Sequence, residues 1–196
     1  MLDGLNVAQA HVVGLSMGAF ATLHFGMRYA HTRSGSRALS LTLAGCGTGS
    51  HPDVHEAFKK DSLALGESLM AHGMQPASES YCHGPTRLPF LRKNPRGHAE
   101  FLQQFCEHSS LGSGLTAIGY QGRRPSLYTL RDDMARIAVP TLILCGDEDE
   151  PCMDPSLMLK RTIPGSQLAF LPNSGHGINL EEPALFNQLL MDFLTS

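Results

Sequence analysis

Four short apolar runs constrain this chain more than any other feature. They are His11–Leu15 (HVVGL), Leu39–Ala44 (LSLTLA), Thr141–Cys145 (TLILC) and Gln167–Leu171 (QLAFL). Each is too short for a core helix, and each is nearly continuous in apolar character rather than alternating. Strands of that kind are buried on both faces, as in a parallel sheet covered by helices. Helical patterns follow them. Met17 to Tyr29 continues directly from the first run, Pro155–Arg161 lies between the third and fourth, and Pro183–Leu194 (PALFNQLLMDFL) follows the fourth with a proline suited to a first turn. The expected class is α/β, with a mostly parallel sheet of about four strands flanked by helices.

The stretch between the second and third runs reads differently. Residues 47–138 are rich in Gly, Pro, Ser and His and contain no strand-like run, whereas Val54–His72 and Gly97–Cys106 have helical spacing. Some 90 residues greatly exceed one crossover connection. We therefore expect a core made of residues 1–46 and 139–196, and a helical cap inserted as 47–138. Leu88, Phe90, Leu91, Phe101 and Phe105 read as the core of that cap, with pocket lining as the alternative.

The formal charge is −3, and the only basic clusters are Arg92-Lys93, Arg123-Arg124 and Lys160-Arg161. Each reads as a solvated loop or helix end. A phosphate-binding surface concentrates Lys and Arg, so no nucleic-acid partner is expected. No apolar run approaches the ~20 residues of a membrane span, and the amino terminus lacks the basic n-region of a signal peptide. Five scattered cysteines without C-x-x-C spacing suggest reduced thiols in a cytoplasmic protein. No metal site and no cofactor are expected.

The chemistry concentrates in three segments. Gly14-Leu15-Ser16-Met17-Gly18 matches G-x-S-x-G, between an apolar strand and a helix. Such an elbow exposes the Ser16 hydroxyl above the sheet. It also leaves the Met17 N–H at a helix start, where it can donate to an oxyanion. Glycines at 14 and 18 are expected to keep neighbouring backbone from colliding. A serine hydroxyl needs a base. His176 stands in Leu171-Pro172-Asn173-Ser174-Gly175-His176-Gly177, directly after the fourth run. The imidazole in turn needs an acid. Asp147, Glu148, Asp149 and Glu150 follow the third run, and spacing alone does not choose among them.

GLSMG, PTLILCGDEDEP and LPNSGHGINLEEP together resemble the signature segments of the α/β-hydrolase superfamily. The similarity is to its serine esterases, enol-lactonases, cofactor-free haloperoxidases and C–C bond hydrolases. The resemblance implies a Ser16–His176–Asp149 triad, because the acid is usually the third residue after the glycine. Asp147 then supports the turn. It implies hydrolysis of an ester or lactone, with C–C bond hydrolysis as the enzymatic alternative.

Members of that family also carry about four strands and an H-G-x-P-type oxyanion loop ahead of the nucleophile strand. This chain starts ten residues before that strand, and Met1–Ala8 looks like the end of the preceding helix. The expectation is a truncated α/β-hydrolase lacking the second oxyanion donor, a loss of the kind that lowers rates by about 10²–10³. A catalytically impaired binding module is the non-enzymatic alternative. His11–Leu15 should then form a sheet edge without Lys, Pro or clustered charge to discourage pairing. The expected partner is a second copy, in a homodimer.

Overall fold

In the computed structural model, which describes residues 1–31 and 35–196, four parallel strands form one sheet in the order β1-β2-β3-β4. They are β1 (Ala10–Leu15), β2 (Ala38–Ala44), β3 (Thr141–Gly146) and β4 (Gln167–Leu171). The helices in chain order are α1 (Met17–Tyr29), α2 (Pro52–His72), α3 (Gln75–Cys82), α4 (Leu88–Lys93), α5 (Pro95–Cys106), α6 (Ser110–Thr116), α7 (Arg131–Met134), α8 (Glu150–Thr162), α9 (Ile178–Glu181) and α10 (Pro183–Leu194). All four expected strands are present, extended by one residue in β1, β2 and β3. Residues 47–138 hold no strand; α2 to α7 fall there, together with one π-helical turn, Ala117–Gln121.

The period of two along the strands sends side chains to two separate cores. Leu41, Leu43 and Ile143 pack with Phe20, Leu23 and Met27 of α1 and with Leu159 of α8. Ala44, Leu142, Leu144 and Leu171 pack on the opposite face with Ile178, Phe186 and Phe193. Burying each such large apolar side chain is worth roughly 1.5–3 kcal/mol. The two-sided burial explains why β3 is buried at every residue.

One segment differs from its sequence-based expectation. The helix after β3 starts at Glu150, not at Pro155, so Pro155 lies inside α8. Pro151 takes the first-turn position, where a missing N–H is harmless. Pro155 is buried and packs against Gly47, which holds the extra turn in place. The amino-terminal residues carry the hydrogen bonds of a helix end, as expected, with Val7 N–H donating to the Leu2 carbonyl at 2.9 Å and Asn6 N–H to the Asp3 carbonyl at 3.1 Å. They form a single 3-10 turn, Asp3–Leu5, closed by Asn6 at φ 53°. The Arg37 guanidinium ties that turn to the sheet by donating to Asp3 Oδ1 at 2.7 Å and to the Ala8 carbonyl at 2.8 Å.

β1 pairs with β2 alone among the described residues, so its other edge is open, with Val13 45% exposed. No helix of the described residues is long and apolar enough to cross a membrane.

The turn from β1 into α1 depends on close backbone approach, and it does so asymmetrically. A Cβ added at Gly14 would lie 2.2 Å from the Gly18 carbonyl oxygen, whereas one at Gly18 would meet nothing within 4 Å. Only Gly14 is sterically required, which corrects the expectation that both glycines prevent a collision. Gly14→Ala should therefore lower stability by about 3 kcal/mol or more, the upper range for overpacking. Gly18→Ala should be neutral or slightly stabilising, as for Gly→Ala in a helix. Thermal or urea unfolding of the two variants distinguishes these outcomes, and equal effects would contradict the asymmetry.

Candidate active site

Ser16, Asp149 and His176 come from three loops at the carboxyl ends of β1, β3 and β4, the end at which open α/β sheets bind ligands. Ser16 is the N-cap of α1 and holds φ 55°, ψ −114°, a conformation uncommon for a residue with a Cβ. Its N–H donates to the Ala44 carbonyl at 2.8 Å and its carbonyl accepts from Phe20 N–H at 3.1 Å, which fixes the turn from both sides.

The three side chains form a continuous hydrogen-bonded chain. Ser16 Oγ lies 2.7 Å from His176 Nε2, and His176 Nδ1 lies 2.7 Å from Asp149 Oδ2. A carboxylate accepts only, so Nδ1 carries the proton and Nε2 is left to accept from the serine hydroxyl. Asp149 is fully buried and His176 is 5% exposed, so water does not compete for this relay. Gly45, at φ 54°, follows β2 beneath the imidazole. A Cβ there would make ordinary contacts, 3.4 Å from the ring and 3.5 Å from Asp149 Oδ2, so it is the left-handed backbone rather than the space that favours glycine.

The other acids of the β3 loop serve elsewhere. Asp147 Oδ1 accepts from Ser174 N–H at 3.1 Å, joining the acid loop to the histidine loop. Glu148 pairs with Arg92 at 2.5 Å, and Glu150 begins α8. Met17 opens α1, where a first-turn N–H has no intrahelical acceptor and is free to donate toward the space above Ser16.

Several supporting residues had no sequence signal that singled them out. Glu181 Oε2 and Oε1 accept from Gly175 N–H at 2.7 Å and Gly177 N–H at 3.0 Å, clamping the backbone on both sides of His176. Burial raises the Glu181 pKa, while the two N–H bonds and Lys93 act against that shift. The His176 backbone N–H donates to the Thr86 carbonyl at 2.9 Å, which ties the histidine loop to the segment before α4. Lys93 bonds Ser174 Oγ and pairs with Glu182 at 2.5 Å.

Cys152 is fully buried beside the relay, 3.9 Å from His176 Nδ1. Burial, reinforced by the Asp149 charge, pushes its thiol well above the ordinary range, so it stays protonated. Asp149, Cys152 and His176 also have ligand-type atoms within 4.8 Å of one another. The Nδ1–Oδ2 bond already joins two of the three, so an ion there would have to break the relay. His51 and His55, four residues apart, do not converge on a common point: His51 Nδ1 accepts from Asp53 N–H and His55 Nδ1 contacts the Gly49 carbonyl.

The basic clusters fare differently from their reading as solvated groups. Lys160-Arg161 is exposed, but Arg124 is only 8% exposed. Its guanidinium lies between the Phe20 and Phe58 rings, at 4.9 and 4.6 Å, and donates to the Thr48 carbonyl. Flat aromatic faces and a carbonyl acceptor make burial of that cation tolerable. Burial nevertheless lowers its pKa. Above Ser16 lies a cavity of about 730 Å³, bounded by the elbow and by Leu65, Leu69, Phe101 and Phe105 from the helical segment. Of the apolar residues noted between 88 and 105, Phe101 and Phe105 line this cavity. Phe90 is buried, and Leu88 is 45% exposed.

Residues 1–189 match the sequence profile of the Alpha/beta hydrolase family. A monoacylglycerol lipase of Rattus norvegicus is 36% identical over 98% of this chain and 56% of its own length. A 2-hydroxy-6-oxononadienedioate/2-hydroxy-6-oxononatrienedioate hydrolase of Pseudomonas putida is 30% identical over 99% of this chain and 65% of its own. Among solved structures, MenH from S. aureus superposes with a TM-score of 0.86 at 21% identity, covering 99% of this chain and 71% of the other. The chain thus spans between about half and seven tenths of the length of these proteins.

The relay ranks the acids. Asp149→Asn should lower turnover by about 10⁴-fold, since an amide cannot hold the imidazole in the required tautomer. Asp147→Asn should cost far less, because it touches only Ser174 N–H. Rates of Ser16 labelling by a fluorophosphonate probe, compared across the two variants, check the ranking; equal losses would contradict it.

Proposed function

The chain belongs to the alpha/beta hydrolase family, and from that premise we propose that it cleaves a carboxylic ester or lactone through an acyl-enzyme on Ser16. The observation that carries this reading is the buried relay from Ser16 Oγ through His176 to Asp149, with both contacts at 2.7 Å. Ser16 Oγ attacks the carbonyl while His176 Nε2 takes its proton. Asp149 stabilises the imidazolium and the Met17 N–H donates to the oxyanion. The imidazolium returns the proton to the leaving alcohol. Water then attacks the acyl-enzyme with His176 again as base, releasing the acid and restoring Ser16. Each step balances without a cofactor. In this reading residues 47–138 act as the cap over the site, since Leu65, Leu69, Phe101 and Phe105 of that segment bound the cavity at Ser16.

The alternative of C–C bond hydrolysis uses the same triad. The similar Pseudomonas putida hydrolase favours keeping it. A cytoplasmic setting suits the chain, because all five cysteines are free thiols.

A fluorophosphonate probe should label the folded protein at Ser16, and Ser16→Ala should lose both labelling and esterase turnover while unfolding at the same temperature. Retained turnover in purified Ser16→Ala would overturn the assignment, and a folded protein that resists the probe would favour a binding module.

The open edge of β1 needs partners for its backbone groups. A second copy related by a twofold axis would pair antiparallel there and extend the sheet across both subunits. Leu2, Val12, Val13, Phe25 and Tyr29 line an apolar groove of about 590 Å³ beside that edge. Such pairing brings the two Ser16 sites toward the interface. Light scattering at micromolar concentration should therefore report a dimer of the 196-residue chain, and a stable monomer would refute the pairing.

A further inference from the structure

Beside the apolar cavity lies a smaller one of a different chemistry. It encloses about 230 Å³ and is bounded by Ser16, His176, Arg87, Arg124 and Gln121, among others. It shares Ser16, Leu65, Arg87 and Gln121 with the larger space, so the two open onto one another at the nucleophile. At 230 Å³ it is below the ~300–1,000 Å³ of a complete ligand site and fits one polar fragment.

Three features make this compartment a built one. Neither Arg124 nor Arg87 forms an ion pair among the described residues. Among the described residues the Arg124 side chain has one hydrogen bond, to the Thr48 carbonyl, and the Arg87 side chain has one, to Tyr81 Oη at 3.0 Å. A guanidinium offers five N–H donors, so most of each fork is uncommitted. Both planes are held by aromatic rings: Arg124 by Phe20 and Phe58, and Arg87 by Tyr81 and Phe101 at 5.1 and 5.6 Å. Finally, Gln121 Oε1 is buried with no donor among the described residues. It sits in the single π-helical turn, a distortion often found at functional sites.

A buried cation is stable when paired, and a planar, pre-oriented fork matches a carboxylate. We propose that the substrate carries a carboxylate, held by Arg124 and Arg87 in the smaller compartment, with its apolar remainder in the larger one. The unpartnered Gln121 oxygen accepts a hydroxyl or N–H of the same fragment. The substrate class is then an ester or lactone with a free acid group, rather than a neutral ester. This proposal rests on the hydrolase reading above for the bond that lies at Ser16.

Binding separates the two. Calorimetry on the Ser16→Ala protein, which cannot turn substrate over, compares monobenzyl succinate with benzyl methyl succinate. The acid-bearing ester should bind at least tenfold more tightly, the scale of a charge-assisted hydrogen bond. Adding Arg124→Met should abolish that preference, Arg87→Met should reduce it, and Arg124→Lys should retain part of it. Equal affinity for the two esters, tighter binding of the neutral one, or no binding of the hemiester at millimolar concentration would each overturn the proposal. Where Arg124→Met does not fold, the preference of the parent protein and its response to Arg87→Met decide. Fluorophosphonate labelling of the unmodified chain tests the nucleophile independently, so loss of one reading is not mistaken for loss of the other.

Discussion

The backbone of Ser16 is the constraint on which the site depends. A residue with a Cβ stays at φ 55°, ψ −114° only when its surroundings over-determine it. Here the Ala44 carbonyl holds its N–H, the first turn of α1 holds its carbonyl, and Gly14 lets the helix start close against β1. These three restraints come from β1, β2 and α1, elements joined by the larger of the two cores. The packing of Phe20, Leu23, Leu41 and Leu43 therefore aims the hydroxyl as well as stabilising the fold.

Around that point the charges are arranged by burial. Asp149 is fully enclosed and has His176 as its partner; Glu181 is enclosed and has two backbone N–H groups. Arg124 is enclosed and has aromatic faces with one carbonyl. Glu181 has both oxygens satisfied within the chain, whereas Asp149 bonds through Oδ2 and its buried Oδ1 has no partner among the described residues. Arg124 lines the smaller space beside Ser16 with one side-chain hydrogen bond among the described residues, which distinguishes it chemically from the two acids.

Much of this was legible in the sequence, for identifiable reasons. The four strands show because two-sided burial demands near-continuous apolar runs. Ser16 and His176 show because each sits directly after such a run, in a glycine-flanked loop. Asp149 was not separable from its three acidic neighbours by spacing; its burial beside His176 distinguishes it in the fold. The extra turn of α8 is not legible because local proline and helix signals do not report the tertiary contact of Pro155 with Gly47. Arg124 was read as solvated because a basic pair in a Gly- and Pro-rich stretch normally is. Its aromatic partners, Phe20 and Phe58, are distant in sequence, and nothing local announces them.

Ser16 and His176 meet across 160 positions of sequence. Between them lie three further strands and the whole helical segment, and the histidine loop is fixed in turn by Thr86, Glu181 and the acid loop. No fragment of this chain can assemble the relay by local folding, and closing so long a loop carries an entropic cost that only the completed sheet repays. Covalent capture of Ser16 thus measures more than chemistry. It counts the molecules in which β1 through β4 have all docked, and it can time the last step of folding where a helix-content signal would report only the early ones.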